Sequence, residues 1–179
     1  MTLGMKEGEV KGNPVIYQNW VVYPECCEEN LEEVSKNTDN YVIGTNPVQY
    51  KNGPICNILD VYYLGGILYM RGKHRIHLTE KASPGLKPEI IRIGAQSILP
   101  LICYEILFPE DYLPQSGHLR RPVDLIIHMV GFPMYDINQK EAWVAMQKTL
   151  SIMFNCPLVC CCGGEPGEMN ISGVVLPGR

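Results

Sequence analysis

The sequence predicts one α/β domain whose sheets are buried between other layers. Its 179 residues suit a single domain with a sizeable core, and 46% of them are hydrophobic. About eight short segments have strand composition and two or three have helical patterning. Many strand segments are apolar at successive positions, hence on both faces, as in sheets covered from both sides. No repeat or linker divides the sequence, so we expect one domain over residues 1–179.

The first half of the chain is predicted to consist mainly of strands. Residues 1–13 are mostly polar and contain glycine, so we expect a loose N-terminal segment. Composition and turn residues then predict, in order, a strand at 14–23, a short helix at 28–36, a strand at 41–45, a turn at 47–53, and a hairpin formed by 56–63 and 66–71. The following stretch, 73–78, extends the hairpin strand or leaves it.

The second half combines strands with one long helix. The predicted elements are a loop at 79–88, strands at 90–93, 97–103 and 124–129, a helix at 140–154, and strands at 158–162 and 170–176. The helix prediction depends on apolar residues near helical spacing, namely Ala142, Trp143, Ala145, Met146, Leu150, Met153 and Phe154. Residues 104–110 turn the chain away from the preceding strand.

Charge and hydropathy exclude several classes of protein. The 15 Lys and Arg residues against 19 Asp and Glu give a formal net charge of -4, and the only basic cluster is Arg120-Arg121. We therefore expect no nucleic-acid partner. No apolar run approaches the roughly 18 residues that a membrane-spanning helix needs. The N-terminus lacks the apolar segment of a secretory signal, so we expect a cytoplasmic protein without membrane contact.

The eight cysteines are predicted to be reduced and mostly buried. Cys26-Cys27 and the run 160–162 lie on or beside apolar segments, and neighbours on a strand point to opposite faces, so the run of three cannot form one pocket. The sequence has no zinc-ligand spacing of cysteines, and His74 and His77 have no second half of a site. We therefore expect no metal.

Three segments carry a reactive or charged residue near the end of an apolar strand. Glu25 follows the strand at 14–23, where partial burial would raise its pKa and suit it to proton transfer; helix capping is the alternative. Lys73 and Arg75 share one face of a strand, from which either could stabilise an anion. Cys103 ends an apolar strand at a turn, a position typical of a nucleophile, although core packing is the alternative.

Together these segments resemble the nitrilase, or carbon–nitrogen hydrolase, superfamily. VVYPE at 21–25, HRIHL at 74–78 and ICYEILFP at 102–109 occur in the family's order, and the cysteine motif is the most specific. Weaker matches are Asn57, the Pro84-Gly85 loop and the segment 173–178. The resemblance covers residues 14–178. It implies a four-layer α-β-β-α sandwich, incomplete here at its N-terminal edge, that forms a homodimer or larger homo-oligomer.

The resemblance also implies hydrolysis of a small amide, or less often a nitrile, through a cysteine thioester. Cys103 is then the nucleophile and Glu25 the general base, while Arg75 occupies the position of the family's catalytic lysine. That cation and the backbone N–H after the cysteine hold the oxyanion. Supporting or substrate-binding roles fall to Lys73, Glu80, Tyr104 and Glu105. No cofactor or metal is implied.

Departures from the family pattern leave a second hypothesis open. Arginine replaces lysine at position 75, and Lys73 takes its place only if the register slips. Only residues 1–13 precede the first strand, where the family has a strand and a helix. The alternative is therefore a catalytically inactive scaffold or regulatory subunit with the same fold. A membrane-embedded acyltransferase of the same family ranks last, because the sequence has no membrane segment.

Overall fold

The structure of the protein is a computed structural model that describes residues 13–49, 53–77, 80–113, 122–131, 136–164 and 169–178. These residues form two five-stranded sheets, two α-helices and two short 3-10 helices. The predicted loose segment 1–13 lies outside the described residues except for Asn13.

The first sheet contains the strands of the first half of the chain in sequence order. They are β1 (Val15–Tyr17), β2 (Trp20–Val22), β3 (Tyr41–Gln49), β4 (Ile55–Tyr63) and β5 (Gly66–Gly72). All neighbours are antiparallel except β2 and β3, which are connected through helix α1 (Leu31–Lys36). The helix begins where the Asn30 side chain accepts the Glu33 N–H, a typical N-cap.

The second sheet has the spatial order β10-β9-β8-β7-β6. Its strands are β6 (Ile91–Ile93), β7 (Gln96–Ile102), β8 (Leu125–Val130), β9 (Leu158–Cys162) and β10 (Gly173–Val175). The central strands β7, β8 and β9 are parallel, and helix α2 (Ile137–Phe154) connects β8 to β9. The 3-10 helices Cys103–Leu107 and Pro109–Asp111 follow β7.

The two sheets pack face to face, and each carries one α-helix on its outer side. One apolar cluster lies between the sheets and includes Trp20 and Leu59 from the first sheet and Ile98 and Ile127 from the second. Separate clusters lie beneath α2 and beneath α1. The predicted four-layer α-β-β-α sandwich is thereby confirmed, and it explains why strands such as β8 and β9 are buried at every position.

Two predicted boundaries are wrong for local reasons. Residues 14–23 form two antiparallel strands, because Gln18 adopts a left-handed conformation (φ 53°) and reverses the chain without glycine or proline. The predicted turn at 47–53 is strand as far as Gln49. Pro47 is tolerated there because β2 pairs only with the first part of β3, so β3 has an unpaired edge at the proline.

Helix α2 begins three residues earlier than the predicted helix, at an N-cap formed by Asp136, whose side chain accepts the Gln139 N–H. It ends at Asn155 in a left-handed conformation. Among the described residues, neither this helix nor any other is long and apolar enough to cross a membrane.

Candidate active site

The sandwich brings together strand ends that are far apart in the sequence. Glu25 follows β2 and Lys73 follows β5 in the first sheet, whereas Cys103 follows β7 in the second. The Glu25 N–H donates to the carbonyl of Val130, 3.3 Å away at the end of β8, and so links the two sheets. The predicted acid–base residue and the predicted nucleophile therefore lie at one place between the sheets.

Lys73 is the cation of this cluster. Its side chain is fully buried, and its Nζ lies 2.6 Å from Glu25 Oε1 and 2.6 Å from Glu80 Oε1. Burial favours the neutral amine, but the negative charges of Glu25 and Glu80 outweigh it and raise the pKa of Lys73. The side chain is therefore a fixed ammonium group between two carboxylates.

The Cys103 thiol lies close enough to the Glu25 carboxylate and to the backbone N–H of Gly131 for both groups to shift its pKa. Withdrawal from water raises the pKa of Cys103 well above the ordinary thiol value; the Glu25 charge raises it further, and the Lys73 charge opposes both. Burial also raises the pKa of Glu25, again opposed by Lys73. A neutral thiol thus lies against a carboxylate of increased basicity, which suits proton transfer from sulfur to oxygen.

Two further residues surround Glu25, and sequence reasoning gave neither a role. The Asn57 side chain on β4 donates from Nδ2 to Glu25 Oε1 over 2.6 Å. The backbone carbonyl of Asn57 accepts the backbone N–H of Lys73 over 2.8 Å. A Cβ atom at Gly131 would lie 3.3 Å from Glu25 Oε2, so glycine leaves the room that the carboxylate occupies. A weak family match was the only sequence signal for Asn57, and Gly131 had none.

The structure corrects the predicted placement of Arg75. The guanidinium bonds to Asp111 through Nε, lies 3.4 Å from Glu110 Oε1 and stands over the Phe108 ring, 4.3 Å from its centroid. Because β5 ends at Gly72, strand alternation does not continue to position 75. Lys73, and not Arg75, is the cation that contacts Glu25.

Glu80 reaches the cluster although its sequence spacing fits the family poorly. The loop that contains it folds back over the end of β5, where the Gly85 N–H donates to the Lys73 carbonyl over 2.6 Å. A Cβ atom at Gly85 would lie 2.4 Å from the Gly72 carbonyl oxygen, so this close approach of two backbones requires glycine. The Glu80 side chain remains 24% exposed, unlike that of Lys73.

Glu105 does not point toward an open pocket but forms a buried ion pair with Arg71. Arg71 Nη1 and Nη2 donate to the two carboxylate oxygens of Glu105 over 2.7 and 2.6 Å. Those oxygens also accept the backbone N–H of His74 over 2.7 Å and that of Ile102 over 2.8 Å. One carboxylate therefore connects the residue after Lys73 to the residue before Cys103, and so fixes the relative position of cation and nucleophile.

The Tyr104 side chain is partly exposed. Its ring makes edge contacts with His77 and Phe108, at centroid distances of 5.2 and 5.1 Å. The Tyr104 backbone N–H, which directly follows the cysteine, is the group that the sequence resemblance assigns to the oxyanion.

His128 is a buried polar residue beside the nucleophile that the sequence did not single out. Its Nε2 lies 3.0 Å from the Cys103 carbonyl oxygen, and its Nδ1 lies 3.2 Å from Gln147 Nε2 on α2. The imidazole stacks on Trp143 with centroids 5.4 Å apart. Burial lowers the pKa of His128 to about 4, so the ring is neutral near pH 7.

The donor set of the described residues does not suggest a metal. No group of three or more His, Cys, Asp or Glu side chains in the described ranges is arranged to hold an ion. No disulfide joins any of the eight cysteines, all of which lie in those ranges.

Comparison with solved structures identifies the architecture. A CN-hydrolase superfamily protein of Xanthomonas campestris, with an arsenic adduct in its active site, aligns with a TM-score of 0.69 at 14% identity, over 88% of this chain and 70% of its own. The chain has the nitrilase fold. Nit3 of Saccharomyces cerevisiae, a member of branch 10 of the nitrilase superfamily, aligns with a TM-score of 0.70 at 19% identity, over 89% of this chain and 69% of its own.

A third neighbour with the nitrilase fold is a mutant amidase of Nesterenkonia sp., in which the acetamide moiety of fluoroacetamide is covalently added at the active-site cysteine. It aligns with a TM-score of 0.68 at 15% identity, over 89% of this chain and 70% of its own. No family sequence model matches the chain, and no curated protein matches it. At these identities the likeness establishes the nitrilase fold, and the chemistry has to be inferred from the site itself.

Replacing Glu105 with glutamine is expected to lower the free energy of unfolding by about 3–5 kcal/mol, because Arg71 would keep a buried charge without its counter-ion. Urea denaturation followed by circular dichroism measures the change. The matched control is Glu32→Gln, which breaks an exposed ion pair with Lys36 (2.7 Å) and should cost less than about 1 kcal/mol. Similar losses in the two variants would contradict a special role for the buried pair.

The stability of the protein is expected to fall as the pH decreases from 6.5 to about 4, the ordinary and the folded-state pKa values of His128. In this window His128 binds a proton in the unfolded chain but not in the folded chain. Each unit of decreasing pH therefore lowers the free energy of unfolding by at most about 1.4 kcal/mol. Above pH 6.5 His128 is neutral in both states, and its contribution to stability is fully present. Urea titrations across this window should give a flatter profile for His128→Gln than for the native protein; identical profiles would contradict the prediction.

Proposed function

We propose that the protein hydrolyses the carbon–nitrogen bond of a small amide through a thioester acyl-enzyme on Cys103. The observation that carries the proposal is that three separate chain segments bring the partly buried Cys103 next to the buried ion pair of Glu25 and Lys73. Burying charged side chains costs free energy even when they are paired. Buried charged groups with shifted pKa values are common at functional sites, so this cluster is a candidate catalytic site.

In the first step Glu25 takes the Cys103 proton while the sulfur attacks the amide carbon. The electron pair of the C=O bond moves to oxygen, and the resulting oxyanion is stabilised by the Lys73 ammonium and the Tyr104 backbone N–H. When the tetrahedral intermediate collapses, the C–N bond breaks and the amine leaves with the proton from Glu25.

In the second step Glu25 takes a proton from water, and the resulting hydroxide attacks the thioester carbon. The C–S bond breaks, the sulfur regains a proton, and the carboxylic acid is released. The balance is one amide and one water consumed for one acid and one amine. The raised pKa of Glu25 supports its use as both acceptor and donor of this proton.

The neighbouring structures support the same chemistry. The Nesterenkonia amidase has an active-site cysteine that accepts the acetamide moiety covalently, and the Xanthomonas protein has an arsenic adduct in its active site. Soft electrophiles of this kind react with thiolates, which is the chemistry proposed for Cys103.

Intact mass spectrometry of the protein mixed with a panel of small amides, esters and nitriles tests the proposal. We expect an adduct of acyl mass on the native protein that is absent from the Cys103→Ala variant, and the mass identifies the acyl group. No adduct from any compound, together with slow alkylation of Cys103 by iodoacetamide, would contradict the proposal and favour the catalytically inactive scaffold.

Two matched substitutions test whether Lys73 or Arg75 is the catalytic cation. Lys73→Met should lower the acylation rate by about 100-fold or more, because it removes a charge beside the developing oxyanion. Arg75→Met should lower it by less than about tenfold, since it breaks only a partly exposed pairing. Stopped-flow measurement of acylation, with circular dichroism to verify folding, makes the comparison. Equal effects, or a larger effect of Arg75→Met, would restore Arg75 as the catalytic cation.

A further inference from the structure

The peptide group between Cys103 and Tyr104 contributes two polar groups to the site, the Cys103 carbonyl and the Tyr104 N–H. A trans peptide is planar, so its C=O and N–H point in opposite directions and turn together. The N–H of this peptide belongs to Tyr104 and is the proposed donor to the oxyanion. Whatever holds the Cys103 carbonyl therefore also sets the direction of the donor.

His128 holds that carbonyl from the interior of the second sheet. It lies on β8, the parallel neighbour of β7, and its fully buried Nε2 is 3.0 Å from the Cys103 oxygen. The other residues of β8 are apolar and equally buried. An apolar side chain at position 128 would leave the Cys103 carbonyl without this donor, so the histidine is not interchangeable with the residues around it.

The contacts of the ring also determine its tautomer. A carbonyl oxygen only accepts hydrogen bonds, so Nε2 must carry the proton and, in a neutral ring, Nδ1 must be the acceptor. The Gln147 amide N–H, 3.2 Å away, donates to Nδ1, and the Cys160 thiol lies 3.8 Å from the same atom. Stacking on Trp143 fixes the ring plane.

We propose that His128, with its tautomer set by Gln147, is a positioning residue that aims the Tyr104 N–H at the oxyanion. This inference rests on the proposed function, because it assigns the orientation of that site's donor. His128 does not touch the substrate in this scheme. It acts through the Cys103 carbonyl, on the side of the peptide opposite to the reacting atoms.

Two reactions of Cys103 distinguish this role from a general structural one. Acyl transfer from p-nitrophenyl acetate passes through an oxyanion, whereas alkylation by iodoacetamide is a displacement at carbon that needs only the thiolate. The variant His128→Phe keeps a flat ring against Trp143 but lacks the donor. The variant His128→Gln keeps an N–H at a similar distance from the backbone.

We expect His128→Phe to acylate about 10- to 100-fold more slowly than the native protein while its alkylation rate changes by less than about threefold. His128→Gln should recover most of the acylation rate. Equal losses in both reactions would mean a structural role and would overturn the inference, as would an unchanged acylation rate in His128→Phe. If the native protein itself is not acylated by any compound, the proposed function fails and the inference fails with it.

A measurement on the native protein covers the case in which His128→Phe does not fold. Long-range 1H–15N correlation spectra of the histidine rings should show His128 protonated at Nε2 and not at Nδ1. The assignment comes from the spectrum of His128→Gln, from which that ring's signals are absent. A ring protonated at Nδ1 could not donate to the Cys103 carbonyl and would overturn the inference.

Discussion

The buried carboxylate of Glu105 is the contact on which the geometry of the site depends. Cys103 directly follows a strand of one sheet and Lys73 a strand of the other. Apolar packing between the sheets does not fix their relative position to within the length of a hydrogen bond. Glu105 does so, because it binds Arg71 on β5 and accepts the N–H groups of His74 and Ile102. A buried ion pair adds little net stability, and its benefit here is the unique position that it imposes on the flanking residues.

The charges around Cys103 are balanced in a way that keeps the resting thiol protonated. One ammonium lies between two carboxylates, Glu25 and Glu80, and the pKa of Cys103 is raised by burial and by Glu25. A thiolate formed before substrate arrives would add a third negative charge to this small volume. Once the proton has moved to Glu25, Lys73 faces a neutral carboxyl group and can stabilise negative charge on sulfur or on the oxyanion.

The resemblance of VVYPE and ICYEILFP to the nitrilase family predicted the layers of the fold and a shared site for Glu25 and Cys103, whereas the strand patterns alone left other interpretations open. It misplaced Arg75, since the end of a strand depends on a close contact between Gly72 and Gly85 that composition does not reveal. His128 was read as part of a buried strand. Its proposed function depends on the direction of the Cys103 carbonyl, just beyond the end of the neighbouring strand β7, and the order of residues does not indicate that direction.

The backbone of the site is held in conformations that its residues do not favour. Cys103 and Cys26 have φ values of 45° and 55°, a left-handed region that costs a non-glycine residue about 1–2 kcal/mol. Each is held by a polar contact: Thr45 Oγ1 accepts the Cys26 N–H over 2.8 Å, and His128 meets the Cys103 carbonyl. A glycine at 103 would relieve the strain but would lose the nucleophile. The strained backbone therefore follows from placing a thiol at a sharp turn, and the buried hydrogen bonds around it are what make that placement stable.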